Sequence, residues 1–180
     1  MIGKWIVRSA WATVMFALAC VAAGAYGVLH NQISYTVSPE YFTKFKFIQF
    51  SVGPILRGRV GAGVVGWAAS WWMGALIAMV LIPLTWRAAT HGQFVRTLFR
   101  AYGVVVLTTL AVGLIALAGG FIFIDASIGS FERYGLAIDD DVAFARAGNM
   151  HNFSYLGGVI GVITGGWTAI RGSRRSANDA

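Results

Sequence analysis

Four long stretches of this sequence contain no Lys, Arg, Asp or Glu, namely residues 9–39, 60–86, 101–124 and 147–170. Each is longer than the roughly 20 apolar residues that an α-helix needs to cross a bilayer core about 30 Å thick. The chain has 180 residues, of which 57% are hydrophobic and only 12% are charged, well outside the range of water-soluble domains. The sequence therefore predicts an all-α integral membrane protein.

The lengths of these stretches predict a single membrane domain over residues 1–180 with four transmembrane helices. The spans are expected at about residues 6–29, 60–86, 101–124 and 151–170, with outer loops 30–59 and 125–150 and an inner loop 87–100. Short connections favour antiparallel neighbours, so we expect an up-down-up-down bundle. Lys4 and Arg8 precede the first run as they would in a signal peptide, but its length favours a retained span.

The distribution of charge predicts which side of the membrane each segment occupies. The amino terminus, the inner loop and the carboxyl tail carry eight cations against one anion, Asp179. These cations are Lys4, Arg8, Arg87, Arg96, Arg100, Arg171, Arg174 and Arg175. The outer loops carry six cations and six anions, which cancel. The positive-inside rule then places both termini in the cytoplasm, as expected for a bacterial inner (plasma) membrane protein. The basic excess is expected to face anionic lipid headgroups and not nucleic acid.

The first outer loop is rich in aromatic residues and is predicted to lie on the extracytoplasmic side. Residues 32–37 alternate in polarity like a short strand. Ser38-Pro39-Glu40 has the features of a helix start, with Ser as the cap and Pro in the first helical position. Residues 41–50 mix aromatics with lysines, which predicts a short helix in the headgroup plane, although a strand also fits the alternation.

Gly157, Gly161 and Gly165 form a stripe of small residues at four-residue spacing in the fourth span. Such stripes allow two transmembrane helices to approach closely. The stripe is expected to pack either against another helix of the same chain or against a second copy. Other membrane subunits and lipids are further expected partners.

Two histidines are expected at the same depth on neighbouring helices. His30 ends the first span and His151 opens the fourth, both on the outer side, and Asp125 closes the third span at that depth. Glu40 follows His30 by ten residues in the outer loop. His30 begins the pattern His-Asn, spacer, Ser-Tyr, and a similar pattern begins at His151. The alternative is that these polar groups only contact headgroups and water at the interface.

Two imidazoles with one or two carboxylates suit a divalent metal ion such as Zn²⁺, Fe²⁺ or Mn²⁺. His30, His151, Asp125 and Glu40 are therefore the expected metal ligands. Glu40 is also the expected catalytic base, acting on a metal-bound water. Haem is not expected, because haem ligands usually lie inside a bundle and these histidines are at its rim. Cys20 is the sole cysteine, so an intrachain disulfide is excluded.

The sequence leaves three classes of function open. The first is a metal-binding or catalytic site at the extracytoplasmic interface, acting on a lipid-borne substrate. The second is a non-catalytic structural or assembly subunit of a larger membrane complex. The third is a small transporter or channel, which is disfavoured because no charge lies near the centre of any span. Whether the protein is an enzyme is not decided by these observations.

Overall fold

Four long helices make up most of the protein, in a computed structural model that describes residues 2–174 without the side chains of residues 2 and 4. They are α1 (Ile2–Val37), α2 (Arg59–Thr85), α3 (His91–Phe123) and α4 (Asp141–Arg174). About 85% of the structure is helical, and all four helices are long and apolar enough to cross a membrane. This confirms the prediction of four apolar helices. Arg175 and Asp179 lie outside the described residues.

Shorter elements fill the two connections that precede α2 and α4. A π-helical turn, Tyr41–Lys46, runs into a helical turn, Phe47–Gln49, and we call these two together the loop helix. Turns of 3₁₀-helix follow at Pro54–Leu56 and Ala126–Ile128. Strands β1 (Glu132–Arg133) and β2 (Leu136–Ala137) pair antiparallel across Tyr134 and Gly135. Both turn residues have positive φ, 52° and 75°, as the tightest hairpin turns require.

Hydrogen bonds between helix ends show which of these ends lie together in the bundle. At what we call the terminal end, Arg8 donates to the carbonyl of Trp86 at 2.8 Å and Gln93 donates to the carbonyl of Gly172 at 2.7 Å. At what we call the loop end, Gln32 donates to the carbonyl of Arg59 at 2.9 Å. Arg146 also donates to the carbonyl of Ile124 at the loop end, at 2.9 Å.

Glycine allows α1 and α2 to touch along their backbones. A Cβ at Gly66 would overlap the backbone of Gly27, and a Cβ at Gly74 would overlap the backbone of Ala19. Close backbone approach gains dispersion contacts that lipid cannot supply, because burial of apolar surface drives no association inside a bilayer. The absence of a side chain at Gly66 is therefore used for packing within the chain.

The glycine stripe of α4 packs against α3. A Cβ at Gly157 would meet Thr109, a Cβ at Gly161 would meet Val105, and a Cβ at Gly165 would meet the carbonyl of Ala101 at 3.0 Å. All three glycines are buried within the described structure. Of the two expected roles for the stripe, the structure shows the intramolecular one, and self-association through these residues would require α4 to leave α3.

Two apolar clusters hold the α1–α2 pair against the α3–α4 pair. The cluster at the terminal end centres on Met15, Leu81, Phe94 and Leu98. The cluster at the loop end centres on the loop helix, through Tyr41, Phe42 and Phe47, together with Phe144 of α4. The loop helix therefore packs one face against the helices of the bundle, and its position in the headgroup plane stays a prediction.

Three helices are longer than their predicted spans, and α4 begins at Asp141, ten residues before its predicted start. α1 continues to Val37, so residues 32–37 are helical and the predicted strand is wrong. The side chains of Asn31 and Gln32 donate to backbone carbonyls at the start of α2, and this tertiary pairing outweighs the local alternation. α3 begins at His91, so most of the predicted inner loop 87–100 is helical.

Candidate functional site

His30 and His151 lie in direct contact at the loop end of the bundle. Their ring centroids are 4.6 Å apart and the rings are nearly perpendicular, at 81°. The ring of Tyr41, from the loop helix, stacks on His151 with centroids 4.9 Å apart, and Tyr26 tilts against His30 at 5.7 Å. His30 is buried, with 5% of its surface exposed. The expected proximity of the two histidines is therefore a feature of the structure.

Each histidine is hydrogen-bonded to the serine of the other motif. His30 Nε2 and Ser154 Oγ are 2.9 Å apart, and His151 Nε2 and Ser34 Oγ are 3.1 Å apart. Ser34 lies one helical turn after His30, and Ser154 lies one turn after His151, so the two bonds cross between α1 and α4. Thus the repeated sequence pattern corresponds to a reciprocal arrangement of side chains. We call His30, Ser34, His151 and Ser154 the histidine–serine cluster.

Asn31 anchors this cluster to α2. Its side-chain amide donates to the carbonyl of Ala62 at 2.9 Å, and its oxygen lies 3.4 Å from His30 Nδ1. Asn31 is 3% exposed, and buried amides of this kind rarely lack partners. The asparagine of the second motif, Asn152, is instead exposed, so the likeness of the two motifs does not extend to it.

Glu40 makes its contacts with the loop helix and the segment before α4, not with the histidines. Its carboxylate pairs with Lys44 at 2.5 Å and accepts hydrogen bonds from the backbone amides of Asp139 and Asp140. Partial burial opposes ionisation of Glu40, but Lys44 and the two amides outweigh it and lower the pKa to about 2. Glu40 therefore fastens the loop helix to the segment before α4.

Asp125 is exposed and accepts a hydrogen bond from the backbone amide of Ser127 at 2.9 Å. The side chain of Ser127 and, after it, this amide stabilise the carboxylate of Asp125 and lower its pKa. Across residues 2–174, no three His, Cys, Asp or Glu side chains are grouped closely enough to hold a metal ion. Of the four expected ligands, the structure brings together only His30 and His151. Metal binding stays a prediction, which elemental analysis of the purified protein would test.

A cavity of about 150 Å³ lies between the α1–α2 pair and the α3–α4 pair. We call it the interhelical cavity. Its loop end is polar, with His30, His151, Asn31 and Ser154 in its wall. Towards the middle of the bundle the wall is mostly apolar, and it includes Ala19, Ala23, Val65, Val105 and Met73. Tyr155 lines the cavity and is 52% exposed, so the cavity is not sealed from the surface of the bundle.

Lys46 contributes the positive charge in this wall. Its Nζ donates to the side-chain oxygen of Gln49 at 2.9 Å and lies 4.3 Å from the centroid of the Phe45 ring. Burial of the ammonium group lowers the pKa of Lys46. Among the described residues, no Asp or Glu lines the interhelical cavity. The polar end of the cavity therefore combines a cation with two imidazoles and no carboxylate.

Two tyrosines in the wall have buried hydroxyl groups without a hydrogen-bond partner in the described structure, Tyr26 and Tyr102. Tyr102 is only 8% exposed, and Tyr26 approaches Ser154 without forming a bond of good geometry. Buried hydroxyls are usually satisfied, so both groups are available to a ligand. Lys46 and the two tyrosines were not among the predicted site residues, although the one-turn spacing of Tyr26 and His30 is visible in the sequence.

Comparison of the chain with protein-family models, with curated proteins and with solved structures finds no match. The fold and the site therefore define the class of this protein by themselves. It is a helical protein with four helices long and apolar enough to cross a membrane, and it contains a mostly apolar cavity with a histidine-rich polar end.

Proposed function

We propose that the protein binds a single-chain amphiphile drawn from the membrane. The interhelical cavity supports this proposal, since small apolar side chains line its inner part and the histidine–serine cluster closes one end. A hydrocarbon chain fits the apolar part. A polar head at the loop end would meet imidazoles, an amide and hydroxyls that provide both donors and acceptors.

The dimensions of the interhelical cavity favour one lipid chain. Its wall follows α1 from Ala19 to His30, a helical rise of about 16 Å. This length is close to half of the roughly 30 Å hydrocarbon thickness of a bilayer, which is the depth of one leaflet. A chain held in this cavity would thus keep the depth that it has in the lipid.

We further propose that the bundle has up-down-up-down topology with both termini in the cytoplasm of a bacterial inner membrane. The arginines of the terminal end support this orientation through the positive-inside rule, and Arg87, Arg96, Arg100 and Arg171 are exposed there. In this orientation the polar end of the interhelical cavity opens at the outer headgroup level. This proposal keeps the expected extracytoplasmic site for a lipid-borne molecule, but binding of that molecule does not require a metal ion.

A photoactivatable C16 chain tests the binding proposal. Such a probe, incubated with the purified protein in nanodiscs and irradiated, should label cavity residues such as Ala23 and Val105. Gly158→Leu should abolish this labelling, because a Cβ at Gly158 faces open space, meeting only the methyl group of Met73 at 4.0 Å. The larger side chain would therefore fill the cavity without moving the backbone.

Gly103→Leu is the matched control for this experiment. Gly103 lies on α3 with nothing within 4 Å of its would-be Cβ, and it is not part of the cavity wall. This variant should keep the labelling of Ala23 and Val105. Labelling confined to lipid-facing residues in the unsubstituted protein, or unchanged by Gly158→Leu, would overturn the proposal and favour a scaffold role.

A further inference from the structure

We infer that the amphiphile carries an anionic head, a carboxylate or a phosphate, held by Lys46 beside the histidine–serine cluster. This inference rests on the proposed function and deepens it by specifying the class of ligand. It depends on the charge of the cavity wall and on hydrogen-bond donors that the fold leaves without partners.

The first observation is that the charge of Lys46 is not balanced locally. Two residues earlier on the same helical turn, Lys44 pairs with Glu40 and with Asp139 at 2.7 Å. In the described structure Lys46 has only the neutral oxygen of Gln49 and the faces of two aromatic rings, those of Phe45 and Tyr41. A half-buried ammonium without a carboxylate is a favourable partner for an incoming anion.

The second observation is the orphaned hydroxyl group of Tyr26. Its oxygen is buried without a hydrogen-bond partner in the described structure, and its ring lies against His30 at the polar end of the cavity. A phenol donates readily to an anionic oxygen, and such charge-assisted bonds are about twice as strong as neutral ones. Tyr26 and Lys46 therefore supply two donors from different elements, α1 and the loop helix, to one end of the interhelical cavity.

The third observation is the position of Lys46 relative to the chain that the cavity would hold. Lys46, Gln49 and Phe50 all line the cavity from the loop helix and the residue that follows it, whereas the apolar wall lies deeper along α1, α2 and α3. An ammonium at this end and hydrocarbon-lined space behind it match an amphiphile with a terminal anion. A neutral head would leave the charge of Lys46 without a counter-ion.

Competition binding tests the inference. The photoactivatable chain is displaced from the purified protein by palmitate, by lysophosphatidic acid, by hexadecanol and by decylubiquinone in separate titrations. Both anionic competitors should bind at least about tenfold more tightly than the two neutral ones, as expected for an added charge-assisted bond. Lys46→Gln should remove this preference without loss of neutral binding, and Lys46→Arg should restore it.

Arg57→Gln is the control, because Arg57 is an exposed cation at the same end of the molecule but is not part of the cavity wall. This variant should keep the preference for anionic heads. Equal affinity for all four competitors, with labelling still blocked by Gly158→Leu, would overturn the inference and leave the proposed function standing. Displacement by inorganic phosphate alone would also overturn it, since the ligand would then be a soluble anion.

Discussion

Single hydroxyl groups connect α1 to α4 in this protein. Ser34 shares one hydrogen bond with His151, and Ser154 shares one with His30, so each bond joins the two helices. Ser34 is fully buried. Ser34→Ala should lower the free energy of unfolding by about 1–2 kcal/mol, because it leaves His151 Nε2 without its partner in a low-dielectric site. Thermal unfolding in detergent would measure the change.

A matched control and a double-mutant cycle sharpen this prediction. Thr168→Ala removes an exposed hydroxyl whose partner among residues 2–174 is the carbonyl of Thr164, so it should change stability by less than about 0.5 kcal/mol. Combining Ser34→Ala with Ser154→Ala should give a non-additive loss, since the two histidines touch. Additive losses no larger than that of the control would contradict a coupled cluster.

The carboxylate of Glu40 gives the fold a dependence on acid. Its pKa is about 2 in the folded protein and about 4.5 in an unfolded chain. Its contribution to stability is therefore complete above about pH 4.5 and is lost as the pH falls from about 4.5 towards about 2. The melting temperature should fall over this range, and Glu40→Gln should flatten the fall, whereas the exposed Glu132→Gln should not. A profile unchanged by Glu40→Gln would refute the assignment.

At the scale of helices, backbone contact between α1 and α2 is the feature most sensitive to substitution. Gly66→Ala would make a methyl group overlap the backbone of Gly27. Backbone atoms cannot move aside by a change of rotamer, as a side chain can. We expect a loss of about 1–3 kcal/mol in unfolding free energy, as for other overpacked contacts. The matched change Gly103→Ala meets no atom within 4 Å and should be neutral or stabilising by up to about 1 kcal/mol. Equal effects of the two substitutions would contradict this packing.

The ends of the helices were the least predictable elements. The charge-free runs predicted the cores of all four helices, but α3 begins ten residues before its predicted span. The residues that mark the start of α3 are Thr90 and Gln93. The hydroxyl of Thr90 accepts from the amide of Gln93 at 3.1 Å, and the side chain of Gln93 accepts from the amide of Ala89 at 2.8 Å. This reciprocal capping is a local sequence pattern that hydropathy does not register.

At the scale of the whole molecule, the proposed orientation predicts which end is accessible from outside the cell. In a Cys20→Ala background, Arg57→Cys at the loop end should react with a membrane-impermeant maleimide on intact spheroplasts. Arg96→Cys, at the terminal end, should react only after the membrane is permeabilised. The reverse pattern, or labelling of both positions in intact cells, would refute the proposed orientation.

The sequence could predict only those site residues whose proximity follows from lying at the same depth in the bilayer. His30 and His151 were expected together because each lies at the same end of an apolar helix. Asp125 was expected at that depth too, but the structure turns its carboxylate back onto the amide of Ser127, which is a local choice of loop geometry. The position of Lys46 was not predictable, since it follows from the fold of the loop helix and not from any periodicity.

The wide turn at Tyr41–Lys46 has a consequence for how this protein can change over time. A π-helical turn holds one residue more than an α-helical ring, so deletion of a single residue there would convert it to regular helix. The following residues would then rotate by about 100° around the axis. Lys46 would rotate away from His151, although no remaining residue would have been replaced. The proposed ligand preference is therefore open to alteration by the loss of one codon, without any amino-acid replacement in the helices themselves.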